Sequence, residues 1–218
     1  VAIWGYGREG GAALAALRWR SPRQPITVFC NDNEASALLA MEDPNCYIDT
    51  EVDGEKLSAF EYVIKSPGIS PYSSPAVDAE LHGTKFIGGT SLWFGEHPHE
   101  RTICVTGTKG KSTVTALIAH LLRSAGRRTA LAGNIGLPLL ELLDVEPPPQ
   151  FWAIELSSYQ TREVVNPEVA VILNFFPEHL DWHGSEQRYF DDKMSLALSS
   201  GARTVVLNAA DQKLATLA

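Results

Sequence analysis

The residues best suited to chemistry form a short glycine turn that leads directly into a lysine and a serine. Gly107 and Gly110 follow the apolar run Thr102–Thr106, and Lys111 and Ser112 open a segment with apolar residues at the spacing of one helix face. In this order of strand, glycine turn and helix, backbone N–H groups face a phosphate, the lysine reaches the terminal phosphates and the hydroxyl can hold Mg²⁺. The pattern predicts a nucleoside triphosphate site; a plain glycine turn before a helix is the alternative.

The spacing of this turn differs from that of the common phosphate-binding loop. The form G-x-x-x-x-G-K-[ST] would place its first glycine at position 105, where this sequence has Val105. The first glycine is instead Gly107, so the predicted loop is tighter.

Two later segments carry groups that could act at the same site. Glu155 closes the apolar run Phe151–Ile154, where a nucleotidase places a second group directed at Mg²⁺; a strand-end glutamate in water is the alternative. The predicted strand Val169–Leu173 precedes a polar cluster that could ligate a metal, although zinc-type spacing with cysteines is absent. Within it we favour a role for His179 over a structural one. The cluster consists of Glu178, His179, Asp181 and His183.

The predicted helix Glu186–Ser199 carries a lysine on its apolar face. Lys193 shares the helical spacing of Phe190, Met194 and Ala197, whereas Asp191 and Asp192 are expected to point elsewhere. One interpretation is a lysine whose stem covers the helix edge while its amine reaches water. The other is a desolvated lysine with a lowered pKa that can react as a free amine. The pattern leaves both open.

A second glycine turn lies near the start of the chain. The strand Val1–Trp4 leads into Gly5-x-Gly7-x-x-Gly10, a helix and the strand Ile26–Cys30, which is the β-α-β order of dinucleotide-binding units. Such units carry an acidic residue at the end of the second strand. Asp32 is near that position, although Cys30 and Asn31 are closer to the strand end. A nicotinamide cofactor, another nucleotide or phosphorylated ligand, and a structural turn are all compatible with this pattern.

Two further loops follow predicted strands and could contact a ligand. Ser66–Pro71 follows the strand Tyr62–Lys65, and Gly68 lets a ligand approach the backbone. Asn134 lies between two glycines after the strand Thr129–Leu131 and can offer both a donor and an acceptor. A rigid connector and a simple turn are the respective alternatives.

These elements predict an α/β protein with two domains. Residues 1–97 form a Rossmann-like domain and residues 98–218 a P-loop domain that is incomplete. The boundary is placed in the polar, proline-bearing segment Gly95–Glu100. His97 and His99 are expected to be solvated linker residues.

Composition excludes several classes of function. The net charge of −8 argues against nucleic acid as the main partner. No apolar run approaches the ~20 residues that span a bilayer, and no signal peptide is recognisable. The three cysteines show no C-x-x-C spacing and are typical of reduced thiols. We therefore expect a cytoplasmic protein without a nucleic-acid or membrane partner. A monomer is the expected state, although no sequence feature determines it.

Taken together, these motifs resemble those of the Mur ligase family, the ATP-dependent enzymes that build the peptide of bacterial peptidoglycan. The resemblance covers essentially the whole chain, and the family's loop form, T-G-T-x-G-K-[ST], explains the short glycine spacing. The matching segments are Thr106–Ser112, Gly133–Gly136, Glu155–Gln160, Asn174–Asp181 and the pair Tyr189 and Lys193.

Within the family, the first glycine turn and Ser66–Ile69 resemble the enzyme that adds glutamate to UDP-N-acetylmuramoyl-L-alanine. The resemblance implies that the Rossmann-like domain holds the UDP of the substrate and not a nicotinamide; the contacts around Cys30–Asp32 stay undefined. The residues implied in substrate binding are Gly5, Gly7, Ser66, Gly68, Asn134, Ser157 and Gln160.

The implied chemistry is amide formation through an acyl phosphate, with Lys111, His179 and Lys193 as the catalytic residues. Ser112 and Glu155 would hold one Mg²⁺, and His179 a second metal ion. Lys193 would be carbamylated and thereby become an acidic ligand of that second ion. The residues implied in ATP binding are Gly107, Thr108, Lys109, Gly110, Lys111, Ser112 and Thr113.

Two departures from the family pattern refine the prediction. Lys109 replaces the usual asparagine of the loop. Together with the segments Gly5–Gly10, Ser66–Pro71 and His179–Gly184, it resembles a variant branch that adds L-glutamate, which we favour over the branch that adds D-glutamate. The family's C-terminal domain, which closes over ATP and binds the incoming amino acid, is not in this sequence. We therefore expect this fragment to bind the UDP substrate weakly and not to turn over.

Three other functions compete with this interpretation. A nucleotide-switch module would hydrolyse ATP or GTP without any amino acid and gives no reason for Lys193. A nicotinamide-dependent dehydrogenase would bind NADH. A folate-type polyglutamate ligase is related in the central domain but lacks the N-terminal Rossmann-like unit.

Overall fold

The computed structural model describes residues 1–163 and 165–216 and divides the chain into two compact units. The first unit comprises Val1–Leu92 and the second Trp93–Ala218. The sequence placed the boundary five residues later, at 97/98. The division falls inside the helix Gly89–Glu96, and Trp93 packs on His97 and Trp152 of the second unit.

The first unit is built on a parallel five-stranded sheet in the order β3-β2-β1-β4-β5. This order matches five of the six strands of the doubly wound order 3-2-1-4-5-6, and it confirms the predicted Rossmann-like class. Its elements are β1 (Ala2–Trp4), α1 (Arg8–Arg20), β2 (Ile26–Phe29), α2 (Asp32–Leu39), β3 (Cys46–Asp49), α3 (Gly54–Ser58), β4 (Tyr62–Lys65), α4 (Ser74–Leu81) and β5 (Lys85–Ile87). The helix α5 (Gly89–Glu96) begins in the first unit and ends in the second.

The glycine turn after β1 lies where the strand order reverses, between β1 and β4. Gly5 has φ +86°, and a Cβ on Gly10 would lie 2.0 Å from the Gly5 carbonyl oxygen. Ser66 Oγ donates to that same oxygen at 2.9 Å. The turn therefore requires glycine for its conformation and for the close approach of α1, and Ser66 joins it to the loop after β4.

The second unit is a parallel five-stranded sheet in the order β10-β9-β6-β8-β7. Because β6 is central, the loops after β8, β6 and β9 leave the sheet side by side at its carboxyl edge. The elements are β6 (Thr102–Thr106), α6 (Lys111–Ser124), β7 (Thr129–Gly133), a 3₁₀ turn (Leu139–Leu142), β8 (Phe151–Glu155), β9 (Val169–Ile172), α7 (Leu180–His183), α8 (Glu186–Leu198), β10 (Thr204–Leu207) and α9 (Gln212–Ala215).

Several short elements were absent from the sequence interpretation, among them α2, α4 and β3. Elements this short carry too few apolar positions for a period to stand out. α2 nevertheless had a readable start signal, because Asn31 and Glu34 form a reciprocal capping box. The longest described helix, α6, has 14 residues. Within the described ranges, no helix combines the length and apolar character required to cross a membrane.

His97 was wrongly assigned to a solvated linker. Its ring is half-buried and stacks on Trp93 with centroids 4.4 Å apart. Its Nδ1 and Nε2 each lie 3.0 Å from a backbone oxygen, of Trp93 and Leu143 respectively. His97 therefore belongs to the packing at the start of the second unit, whereas His99 is exposed.

Candidate active site

The turn between β6 and α6 is a tight loop that depends on its two glycines. Gly110 has φ +83° and directly precedes α6. Gly107 has φ +151°, and a Cβ on it would lie 2.9 Å from the Cβ of Leu173. Both positions disfavour any other residue, so the short glycine spacing corresponds to a loop pressed against the end of β9.

Asn174, the second residue after β9, holds this loop in shape. Its Oδ1 accepts from the backbone N–H groups of Thr108 and Lys109 at 3.1 and 2.8 Å, and its Nδ2 donates to the Lys109 oxygen at 2.9 Å. Asn174 belongs to one of the segments that resemble the Mur ligases, but no role for it was predicted. The sequence feature that could have indicated its role is an amide side chain shortly after β9, because β9 and β6 end at the same edge of the sheet.

Thr108 turns its side chain away from the loop surface. Its Oγ1 is buried and lies 2.7 Å from the hydroxyl of Tyr189 on α8. Burial raises the pKa of Tyr189 to about 12, so the phenol stays protonated. Asn174 accepts from the Thr108 and Lys109 N–H groups, whereas the N–H groups of Lys111–Thr113 lack helical acceptors at the start of α6 and are the donors that a phosphate would meet.

The two lysines of the loop have different surroundings. Lys111 is half-buried, and its Nζ donates to the Thr108 oxygen at 3.0 Å. Lys109 is exposed and forms an ion pair with Glu178, whose pKa is lowered mainly by that hydrogen bond. Lys111 therefore folds over the loop, where a terminal phosphate would replace the carbonyl as its partner, while Lys109 lies at the rim.

Glu155 is buried at the end of β8 with one of its oxygens unpaired. Glu155 is 1% exposed, and its Oε1 accepts a hydrogen bond from Asn134 Nδ2 at 2.9 Å. Within the described residues, Oε2 has no hydrogen-bond partner. Asn134 N also donates to the Glu155 backbone oxygen at 2.9 Å, and a Cβ on Gly133 would lie 2.3 Å from that oxygen. The turn of Gly133 and Asn134 thus closes on Glu155 and aims one carboxylate oxygen away from protein donors.

An unpaired buried carboxylate oxygen is costly unless a cation or donor completes it. Glu155 is therefore suited to the oxygen-rich coordination of Mg²⁺, as is the exposed hydroxyl of Ser112. Among residues 1–163 and 165–216, no group of three or more His, Cys, Asp or Glu side chains could hold a metal ion.

Lys193 is buried and does not extend its amine to water. The residue is 2% exposed, its Nζ donates to the Gly107 oxygen at 2.9 Å, and it lies 5.2 Å from the centroid of the Tyr189 ring. Burial, followed by the charge of Lys111, lowers the pKa of Lys193 to about 7. The burial of Lys193 contradicts the interpretation in which its amine reaches water, and it agrees with a desolvated amine. The reactivity of that amine stays a prediction.

Asp192 was expected to point away from the buried face of α8, and this was wrong. It is 4% exposed, and its carboxylate lies 2.6 Å from His183 Nδ1 and 3.2 Å from Arg162 Nε. A prediction from helical spacing assumes that carboxylates face solvent. Asp192 is buried instead, because His183 and Arg162 are its partners.

The polar cluster after β9 is divided between different partners. His183 is fully buried and directs its two nitrogens at Asp192 and Ser158, so it is not available as a metal ligand. His179 is exposed at the start of α7, with its ring centroid 5.1 Å from that of Tyr159. Within the part of the chain that the structure describes, no hydrogen bond or ion pair joins His179 to Glu155 or Lys193. A metal role for His179 stays a prediction.

The residues predicted to bind substrate occupy the carboxyl edges of both sheets. In the second unit, Ser157 N and Oγ donate to Gln160 Oε1 at 3.1 and 2.9 Å, just beyond Glu155. In the first unit, a Cβ on Gly7 or Gly68 would meet nothing within 4 Å, so the space beside both residues is open. Substrate contacts by these residues stay predictions.

The first unit carries no carboxylate where a dinucleotide-binding fingerprint requires one. β2 is followed by Cys30, a thiol that is 7% exposed and whose pKa burial raises to about 11. Asn31 caps α2, and Asp32 is the first residue of that helix. The end of β2 therefore lacks the acidic group that accepts from a nicotinamide dinucleotide's ribose.

A glycine loop at a helix N-terminus, a lysine folded over it and a buried carboxylate on the neighbouring strand are the features of a nucleotide-binding domain of the phosphoryl-transfer class. Residues 105–218 match the family described as the Mur ligase middle domain. The match covers more than half of the chain, and the chain belongs to the Mur ligase family.

Relatives named UDP-N-acetylmuramoyl-L-alanine–L-glutamate ligase are similar to this chain along its whole length. The protein of Xanthomonas campestris pv. campestris strain 8004 is 58% identical over 100% of this chain and 48% of its own length. The protein of Xylella fastidiosa strain 9a5c is also 58% identical, over 100% of this chain and 48% of its own length. A Micromonospora relative is 42% identical over 99% of this chain and 47% of its own length. This chain thus spans about half the length of these relatives.

Solved structures of ligases share the fold. UDP-N-acetylmuramate-alanine ligase MurC from Thermotoga maritima aligns with 99% of this chain and 50% of its own, at a TM-score of 0.51 and 19% identity. The UDP-N-acetylmuramate:L-alanyl-gamma-D-glutamyl-meso-diaminopimelate ligase from Neisseria meningitides aligns with 99% of this chain and 72% of its own. Its TM-score is 0.54 and its sequence identity is 20%. At these identities the likeness concerns the fold alone.

Replacing Asn174 by alanine is expected to weaken nucleotide binding without unfolding the protein. The substitution removes three hydrogen bonds that shape the loop, so we expect ADP affinity to fall by roughly tenfold to a hundredfold, equivalent to about 1–3 kcal/mol. Calorimetric titration with MgADP measures this change.

The matched control is Asn31→Ala, which removes a helix-capping asparagine in the first unit. It should cost about 1 kcal/mol of stability and leave ADP affinity unchanged. An Asn174→Ala protein that binds ADP as tightly as the control would show that the loop keeps its shape without this amide.

Proposed function

We propose that the full-length protein containing this chain is an ATP-dependent ligase that adds glutamate, with L-glutamate favoured, to UDP-N-acetylmuramoyl-L-alanine. The observation that carries the phosphoryl-transfer half of the proposal is the buried Glu155 oxygen without a partner, one strand away from a phosphate-binding loop. The names of the relatives that are 58% identical support the choice of substrate and of L-glutamate.

In the first step, a carboxylate oxygen of the alanyl group attacks the γ-phosphorus of ATP. A new O–P bond forms, the bond to the β–γ bridging oxygen breaks and ADP leaves. Lys111 and the N–H groups at the start of α6 would bind the phosphates and neutralise the charge of the transferred group. Ser112 and Glu155 would hold Mg²⁺, which supplies further charge neutralisation when bound.

In the second step, the amine of glutamate attacks the acyl carbon. A C–N bond forms, the C–O bond to phosphate breaks, and inorganic phosphate and one proton are released. Asn134, Ser157 and Gln160 line the edge beside Glu155 and would orient the muramoyl-alanine part of the substrate. The open space beside Gly7 and Gly68 in the first unit would take the UDP.

The function of Lys193 would depend on its unprotonated amine. With a pKa of about 7, a large fraction of this amine is neutral at pH 7 and can add to CO₂ to form a carbamate and release a proton. The product carries a negative charge close to Lys111. A lysine on a buried helix face would thereby become a carboxylate-like group suited to a metal ion, with His179 as a further candidate ligand.

The decisive experiment is an amino-acid panel on the full-length enzyme with UDP-N-acetylmuramoyl-L-alanine, ATP and Mg²⁺. Phosphate release and the mass of the product are measured with L-glutamate, D-glutamate and L-aspartate. We expect ligation with L-glutamate at a kcat/KM at least about tenfold above that with D-glutamate, the discrimination of about 1.4 kcal/mol that one altered polar contact provides.

Omission of the UDP substrate is the control and should abolish phosphate release. Coupling of D-glutamate alone would replace the L-glutamate assignment by the other branch of the family. Phosphate release that needs neither amino acid nor UDP substrate would instead identify a nucleotide switch and contradict the ligase.

A further inference from the structure

A buried chain of hydrogen bonds runs beside the candidate active site and has no part in the proposed reaction. His183 Nε2 lies 3.0 Å from Ser158 Oγ, and its Nδ1 lies 2.6 Å from Asp192 Oδ2. The other oxygen of Asp192 lies 3.2 Å from Arg162 Nε. Ser158, His183 and Asp192 are 4%, 0% and 4% exposed. This group has the residue types of a hydrolytic triad, but its serine is out of reach of any substrate.

The hydrogen-bond partners define the state of the imidazole. Asp192 accepts the Nδ1 proton, which leaves Nε2 to accept from the hydroxyl of Ser158. Burial lowers the pKa of His183 against the opposing effect of Asp192, so the ring is neutral. The rings of Tyr159, Trp182 and Tyr189 surround it at centroid distances of 5.9, 4.5 and 5.1 Å. The neutral ring of His183 has both nitrogens in hydrogen bonds, so it connects Asp192 and Ser158 and is held in one orientation.

This link joins the segments that carry the candidate ligands. Ser158 lies three residues after Glu155, and Asp192 directly precedes Lys193 on α8. The N–H of His183 also donates to the backbone oxygen of His179 at 3.1 Å. One imidazole therefore connects the β8 loop, the single turn of α7 and the helix whose lysine reaches the phosphate loop.

We propose that His183 is a positioning residue of the ligase, which holds α8 so that Lys193 stays directed at the Gly107 carbonyl beside Glu155. A buried carboxylate such as Asp192 costs free energy that an apolar pair of similar volume would avoid, so packing alone does not account for this arrangement. The inference rests on the proposed function for its consequence in catalysis, because only a ligase would use Lys193 next to the transferred phosphate.

The test combines a geometric readout with a kinetic one in the full-length protein. Reductive methylation with formaldehyde and a cyanoborohydride reductant, followed by peptide mass spectrometry, reports how often the Lys193 amine becomes accessible. Lys213, whose side chain is 49% exposed, is the internal reference. The Mg²⁺ concentration for half-maximal ligation reports the metal site. Both are measured for His183→Phe, which removes both side-chain bonds, and for His183→Asn, whose amide can still donate to Asp192.

For His183→Phe we expect Lys193 methylation to be at least about tenfold faster relative to Lys213, and the half-maximal Mg²⁺ concentration to rise by at least about tenfold, as for loss of a hydrogen bond to a charged group. His183→Asn should lie between this variant and the native protein. If His183→Phe does not fold, Ser158→Ala removes one neutral hydrogen bond and should raise both quantities by about threefold to fivefold.

Trp93→Phe is the control for general destabilisation, because Trp93 packs with His97 and Trp152 at the start of the second unit. It should lower the Tm but change neither quantity by more than about twofold. Methylation rates and Mg²⁺ dependence of His183→Phe within twofold of the native values would overturn the proposal, as would an equal effect of Trp93→Phe. Methylation does not depend on the reaction, so a protein that couples no glutamate would refute the proposed function while this readout still decides the role of His183.

Discussion

Lys111→Met is expected to lower the kcat/KM of ligation by roughly a thousandfold or more, the effect of removing a charged group that stabilises a transition state. Lys111 is the half-buried cation whose amine folds over the phosphate loop, 3.0 Å from the Thr108 oxygen. Methionine keeps the length and packing of the stem, so the loss isolates the charge. Steady-state phosphate release and calorimetric binding of MgATP separate the effect on turnover from that on affinity.

Lys213→Met is the matched control, since Lys213 is an exposed lysine paired with Glu186 on the surface. It should leave ligation within about twofold, because exposed ion pairs contribute little. A loss of less than tenfold in Lys111→Met would mean that the helix N-terminus alone stabilises the transferred phosphate.

Lys193→Met is expected to reduce ligation by at least about a hundredfold while making the unfolding free energy larger at neutral and acidic pH. The activity falls because methionine has no amine that can add CO₂ or donate to the Gly107 oxygen. The stability rises because methionine removes the cost of a buried ammonium group and keeps similar volume. Function and stability therefore change in opposite directions at this position.

The pH dependence of stability identifies the buried amine directly. The pKa of Lys193 is lowered from 10.5 in the unfolded chain to about 7 in the folded protein, so between these values the unfolded state binds more protons. Stability therefore rises with pH across this window, by about 2 kcal/mol from pH 7 to pH 9, and the full cost of the buried charge is present below pH 7. Lys193→Met should lack this contribution.

Urea unfolding of both proteins at pH 6, 7, 8 and 9, without metal and bicarbonate, measures the difference curve. Subtracting the two proteins cancels the groups that titrate equally in both. Lys213→Met should follow the native curve throughout. A Lys193→Met protein that is less stable than the native one at pH 6, or parallel to it up to pH 9, would mean that the amine is charged and compensated in the folded state.

Much of the architecture could be predicted because it is encoded locally. An apolar run, a glycine turn and a helix face are contiguous in sequence, so β1 with Gly5–Gly10 and β6 with Gly107–Lys111 were both recognisable. Alternation of strands and helices then required a parallel sheet in each unit. The short α2 and β3 were missed because four to eight residues carry little periodicity.

The contacts that shape the site could not be predicted, because they join distant positions. Asn174 holds a loop 65 residues earlier, and the amine of Lys193 reaches the oxygen of a residue 86 positions earlier. The misplaced Asp192 shows the limit of helical patterns, which report average polarity and not the partner that makes burial of a carboxylate tolerable.

The sequence by itself determined the class of the fold, the phosphate-binding loop and the candidate groups at its edge, because these follow from residue types at short, regular spacing. Only the tertiary structure decided that Lys193 is desolvated, that Glu155 keeps one oxygen unpaired and that His183 links Ser158 to Asp192. The physical reason is that pKa values and hydrogen-bond satisfaction depend on what surrounds a group in space, and that is set by how the strands order in the sheet.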